Sequence, residues 1–239
     1  MLTNTNQTQT ASTTRPSARR TRRGLALAFC AAVATALSGC GEPTNNSRAA
    51  FVLVDISENY ASEMEKARTL TNHLLAQMES GDSLAIGFID NSSYSERNII
   101  ASAEFDHRPS VATQQKREVR ADLDAFLERF RVPSAHSDIT GGVFLARDFL
   151  NEANAGERQL YMVSDLNEDL MPDLKRDIPL NLKGVDVVAV NVTRMSGDNH
   201  DPRAYERRLA DWQERIESGG GQWRVANNLA RLEVVTAQR

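Results

Sequence analysis

Cysteine is almost absent from this chain: Cys30 and Cys40 are the 2 examples in 239 residues, and both lie within the first forty. Residues 41–239 therefore exclude a disulfide framework, a catalytic thiol and a cysteine-based zinc site. Histidine is scarce as well. His73, His107, His136 and His200 lack the spacing of metal ligands and read as surface residues. No Gly-x-Ser-x-Gly elbow and no phosphate-binding glycine loop is present, so the pattern does not point to an enzyme. After residue 40 no apolar stretch is long enough to cross a bilayer as a helix, and no internal repeat is seen.

Acidic residues are missing from the first thirty-nine positions. Met1 to Pro16 is mostly Thr, Asn, Gln, Ser and Ala, and Arg19, Arg20, Arg22 and Arg23 follow. An apolar run from Gly24 to Leu37 comes next, too short to span a membrane, and small residues end it. A basic region, a short apolar region and small residues before a cut describe a secretory signal. Leu37-Ser38-Gly39-Cys40 resembles the lipobox of bacterial lipoproteins. The resemblance implies cleavage before Cys40 and acylation (palmitate) of that cysteine. It implies a protein held outside the cytoplasm on the cell membrane or outer membrane, and Gly41 favours the outer membrane where there is one. The simpler alternative is an ordinary signal with a chance cysteine. Removing residues 1–39 takes away five arginines and no acid, moving the formal net charge from −4 to −9. An acidic domain is poorly suited to nucleic acid or to an anionic lipid surface.

Residues 40–48 read as a polar tether reaching at most roughly 25–30 Å. From 49 to 239 strand and helix patterns alternate. Strands are expected at Phe51–Asp55, Ser83–Asp90, Asn98–Phe105, Gln159–Asp165, Val185–Val192 and within Trp223–Val235. The short turn at Asn91 predicts that the second and third strands run antiparallel. Amphipathic helices are expected around Tyr60–Met78, Val119–Phe130, Val143–Leu150 and Tyr205–Ile216, the last opened by Asp201-Pro202. Nearly continuous apolar strands separated by such helices predict a three-layer α/β domain: an open, mostly parallel sheet with one antiparallel edge strand. Ligands of such sheets bind at the carboxyl ends of the strands, where strand order reverses.

Three polar clusters fall at those ends: Asp55-Ile-Ser57-Glu-Asn59, Ser137-Asp-Ile-Thr140-Gly-Gly, and Ser164-Asp165. They are rich in oxygen and free of sulfur and imidazole, which suits Mg²⁺, Mn²⁺ or Ca²⁺. In this order they resemble the von Willebrand factor type A (VWA) domain and its metal-ion-dependent adhesion site. Asn59 stands where that family has a final Ser, Ser137 where it has Thr, and Leu166 where Gly is usual. The resemblance covers about residues 49–236. It implies a metal held by Asp55, Ser57, Asn59, Ser137 and Asp165, with one position open to a carboxylate of a partner protein. Thr140 is the alternative second-loop ligand.

Plainer readings stand beside this one. Asp55, Ser57 and Asn59 also suit a turn and helix cap, as do Ser137 and Asp138. Glu168 and Asp169 read as a solvated acidic loop, and Arg203, Arg207 and Arg208 as the outer face of the last helix. With Asn59 and Leu166 departing from the family, a degenerate, metal-free interaction domain is the second possibility. A third is a metal-dependent phosphatase or receiver-like domain, since Val54-Asp55 and Asp169–Pro172 superficially resemble a receiver; the acidic pair after its first strand is missing.

Overall fold

Arg48–Asp55 forms β1, the strand about which the sheet is built. The computed structural model describes residues 45–57, 60–130 and 132–227. The proposed signal, Cys40 with the first half of the tether, Asn59, and the end of the expected last strand lie outside the described residues. The chain from Asn45 onward belongs to one compact unit. In order, the further elements are α1 (Tyr60–Gln77), β2 (Ser83–Ile89), β3 (Ile99–Glu104), α2 (Pro109–Arg129), α3 (Ile139–Glu152), β4 (Glu157–Val163), β5 (Asp186–Val190), α4 (Pro202–Ser218) and β6 (Gln222–Ala226).

The sheet order is β3-β2-β1-β4-β5-β6. All pairs are parallel except β2 with β3, whose register slips by one residue between Ile86 and Gly87. This is the three-layer α/β arrangement with one antiparallel edge strand. Its physical cause is visible in β1, where side chains alternate between two apolar layers. Phe51 and Leu53 pack with Ile139, Val143 and Trp212 on the α3 and α4 side. Val52 and Val54 pack with Met64, Leu70 and Leu123 on the α1 and α2 side. Burying each such side chain contributes about 1.5–3 kcal/mol, and doing so on both faces is why polar residues disappear from the central strands.

α2 starts at Pro109, ten residues before the apolar spacing becomes evident in the sequence. Its first turns bury only Ala112, so periodicity there is weak. α3 sits close to β1 because of its glycines. A Cβ on Gly142 would lie 2.8 Å from Leu53 Cδ1, and one on Gly141 would lie 2.1 Å from the Asp138 carboxylate that caps the helix. That approach brings the residue before the cap, Ser137, to the rim of the sheet beside the end of β1.

Candidate functional site

The order of the sheet reverses between β1 and β4, since β2 lies on one side of β1 and β4 on the other. A crevice at the carboxyl ends of these two strands is where α/β sheets place ligands. Asp55 is the last residue of β1, and Asp165 lies two residues beyond β4.

Asp55 is buried, and three donors meet its carboxylate. Ser137 Oγ donates to Oδ2 at 2.9 Å, Ser164 Oγ donates to the same oxygen at 2.8 Å, and the Ser57 N–H donates to Oδ1 at 3.0 Å. The turn reading of Asp55 and Ser57 is thus part of the geometry, with the two hydroxyls added. Ser57, Ser137 and Asp165 line one cavity of about 60 Å³, together with Ser134, Ala135, His136, Asn167, Asp169 and Met195. The cavity has room for an ion with one water, or for two waters, at about 30 Å³ of liquid volume per water. Sites for organic ligands usually exceed about 300 Å³. Four of the expected site residues are therefore neighbours; the fifth, Asn59, lies outside the described residues.

The loop carrying Ser137 is held from several directions. Ser134 N donates to Ile56 O at 3.1 Å, and Asn91 Oδ1 accepts from Ser134 Oγ at 2.8 Å and from His136 N at 2.9 Å. Ser137 and Asp169 pair through both backbone hydrogen bonds, 2.9 and 3.0 Å, as an isolated bridge. His136 Nδ1 lies 2.8 Å from Asp169 Oδ2 at the mouth. Asp138 serves the helix rather than the cavity. It accepts from Gly141 N and from Ser93 N, and Arg176 grips it at 2.9 and 2.6 Å, all in complete burial of the carboxylate. Thr140 is bonded by Arg215, and its N–H donates to Glu168 at 2.6 Å. Of the two second-loop alternatives, Ser137 is the one on Asp55 and in the cavity.

Asp165 is buried, and burial is the largest influence on it. The Asn167 N–H, donating at 2.8 Å, and the charge of Arg208 oppose that influence, while the charges of Asp55 and Glu63 add to it; the carboxyl is pushed up to about 6. Arg208 reaches the Asp165 backbone oxygen at 3.2 Å and forms a bidentate pair with Asp198 at 2.8 and 2.9 Å. No Lys or Arg is among the residues lining the cavity. Nearby on α1, Glu63 is buried with Oε2 lacking a hydrogen-bond partner. Glu63 is already paired with Lys66 at 2.8 Å, so the donors at the cavity are two carboxylates, Asp55 beneath it and Asp165, beside neutral hydroxyls, a set that fits a hard divalent ion. Among the described residues no group of three or more His, Cys, Asp or Glu side chains could hold a metal. Any cation here would rely on the two carboxylates with serine oxygens.

Several residues escaped sequence reasoning. Arg208 is turned inward rather than lying on the outer face of α4 with Arg203 and Arg207, and Glu168 is fixed by Arg215 at 3.0 Å rather than solvated. Ser164 sits in a cluster the sequence marks, but only the fold reveals its bond to Asp55. Asp169, by contrast, lies as the sequence suggests in an exposed loop, the one between β4 and β5. Leu166 adopts φ +64°, the left-handed conformation a glycine would take at this position, while its side chain is buried and its carbonyl accepts from Trp212 Nε1 at 3.0 Å.

No known family model matches the chain, and no curated protein matches it in sequence. The architecture is a three-layer, Rossmann-like α/β fold. Among solved structures, conserved hypothetical protein BatB from Bacteroides thetaiotaomicron superposes with a TM-score of 0.50 at 13% identity, over 81% of this chain and 96% of that one. An aerotolerance-related membrane protein from Bacteroides fragilis gives 0.48 at 14% identity, over 80% of this chain and 96% of that one. The pilus adhesin SpaC from Lactobacillus rhamnosus GG gives 0.49 at 11% identity, over 81% of this chain and 29% of that one. The likeness to BatB, at 13% identity, is one of fold alone. Among the described residues no helix is long and apolar enough to cross a membrane.

Proposed function

We propose that this chain is a membrane-tethered, extracytoplasmic protein-binding module that grips an acidic partner through a divalent cation. Mg²⁺, Mn²⁺ or Ca²⁺ would be held by Asp55, Ser57, Ser137 and Asp165, with Asn59 completing the set. The observation that carries this reading is the shared 60 Å³ cavity of Ser57, Ser137 and Asp165, with Ser137 bonded to Asp55 beneath it. Two carboxylates balance the ion's charge, and neutral serine oxygens leave it electron-poor, so that a partner's carboxylate can displace a bound water. The lipobox-like Leu37–Cys40 supports an acylated N-terminus, and the short polar tether keeps the domain near its membrane. In this reading no catalytic step is assigned to the protein.

The test is retention of a polyglutamate peptide by the full chain in uncharged detergent, in millimolar Mg²⁺ and then in EDTA. Binding that requires the cation and is lost in Ser137→Ala supports the proposal. Equal retention in both conditions contradicts it. A metal-free interaction domain is the second reading, favoured by one feature: Asp55 Oδ2 is already satisfied by two hydroxyls. That reading expects an unchanged thermal midpoint on adding any divalent ion.

A further inference from the structure

The free edge of the sheet carries a second surface, remote in kind from the oxygen-lined cup. β3 ends the sheet, and among the described residues no strand pairs with its outer side; the Gln115 side chain closes the far end, donating to Glu104 O at 2.9 Å and accepting from Asp106 N at 2.8 Å, which leaves the stretch before it open. Along it runs a trough of about 900 Å³ bordered by β3, the Tyr94–Glu96 turn and α3, with Asp122 of α2 at its lip. The trough continues into a hollow of about 290 Å³ that shares Ser102, Phe149 and Glu152 and adds Glu104. Its apolar part is Ile99, Leu145 and Phe149, and Tyr94 stands over it, 47% exposed.

The charged side chains that line it have one sign. Glu96, Glu104, Asp122, Asp148 and Glu152 line the two hollows, and no Lys or Arg does. Asp148 is engaged, accepting the Tyr94 hydroxyl at 2.5 Å and pairing with Arg147 at 2.7 Å. The other four form no ion pair among the described residues. A free strand edge offers backbone N–H and C=O groups in a row, which an extended segment matches and a helix does not. Alternate side chains of such a segment point the same way, about 7 Å apart, so basic residues at every second position would face Glu104 and Glu152 on the α3 side, while Asp122 lies on the opposite, α2 side.

We propose that β3 and this trough bind an extended segment of a partner protein bearing alternate lysines or arginines, added to the sheet as a seventh strand. The volume is in the range of sites that take ligands, about 300–1,000 Å³. The surface is independent of the cation cup, so either can fail alone.

The probe is a fluorescein-labelled nine-residue peptide in which lysine alternates with threonine and valine, titrated against the full chain in uncharged detergent. Two control peptides carry glutamate in place of lysine, or alternate N-methylated amides that keep the charges and block strand pairing. Expected are saturable binding of the parent peptide, at least tenfold weaker binding of each control, and the same affinity in EDTA as in Mg²⁺. The double variant E96K/E152K should weaken the parent peptide at least tenfold while its circular dichroism melt stays unchanged. Should that variant not fold, the N-methylated peptide decides. Equal binding of the parent and N-methylated peptides would show charge attraction alone and overturn strand addition. No binding of the parent peptide, or binding that needs Mg²⁺, would overturn the proposal as well; the first outcome leaves the edge carboxylates as guards against aggregation.

Discussion

Ser137 donates its hydroxyl to Asp55 Oδ2 at 2.9 Å, although 82 residues separate the two. Ser164 donates to the same oxygen at 2.8 Å, yet only Ser137 lines the cavity. The two serines should thus cost similar stability and differ in cation binding. Ser137→Ala and Ser164→Ala are each expected to lower unfolding free energy by about 1–2 kcal/mol, the loss of one bond to a charged acceptor. Only Ser137→Ala should weaken Mn²⁺ binding tenfold or more. Urea unfolding and calorimetric titration check the pair.

Asp165 gives a pH dependence with a definite sign. Its carboxyl is pushed from 3.8 to about 6 by burial above all, so between those values the folded protein holds more protons than the unfolded one. The stability this group contributes is full below about pH 4 and is lost as pH rises through about 6. In EDTA, Asp165→Asn should therefore be more stable than the parent at pH 7, by about 1–2 kcal/mol once solvent screening is allowed for. The difference should vanish at pH 4. Denaturant titrations at both pH values test this, and a gap that does not change with pH would contradict it.

At Leu166 two effects oppose each other. The left-handed backbone at φ +64° costs a leucine about 1–2 kcal/mol, which glycine would recover. Removing a buried leucine side chain costs about 3–5 kcal/mol. Leu166→Gly should be destabilising by about 1–4 kcal/mol, because packing outweighs strain. A variant more stable than the parent would show that the side chain contributes little.

Arg176 and Asp138 form a bidentate pair with the carboxylate fully buried. Arg176→Ala leaves that charge with only its backbone donors and should cost about 3 kcal/mol. Asp138→Asn added to Arg176→Ala should restore part of the loss, since the neutral amide can still cap α3. Thermal melts of both variants test the coupling; additive losses would contradict it.

Much of this arrangement is legible in the sequence. The strands bury both faces, so runs such as Phe51–Val54 announce themselves, and the polar ends of β1 and β4 stand out against them. The order in which those ends meet follows from parallel topology. What remained hidden depends on long-range geometry. Arg208 looks like any helix-surface arginine until Asp198 and the Asp165 carbonyl are placed beside it. Arg176 lies in an irregular loop where no periodicity operates, and its partner is 38 residues away. Ser164 was conspicuous only as the neighbour of Asp165. The left-handed turn at Leu166 shows the opposite limit, a conformation kept where the residue type argued against it.

Mn²⁺ binding followed by electron paramagnetic resonance puts the cation cup to its most direct test. In the full chain, free Mn²⁺ signal should fall with one ion bound per protein, Mg²⁺ should compete for it, and Asp55→Ala or Ser137→Ala should abolish the effect. A free-ion signal identical with and without protein, or equal binding by the two variants, would contradict a cation held between β1 and β4.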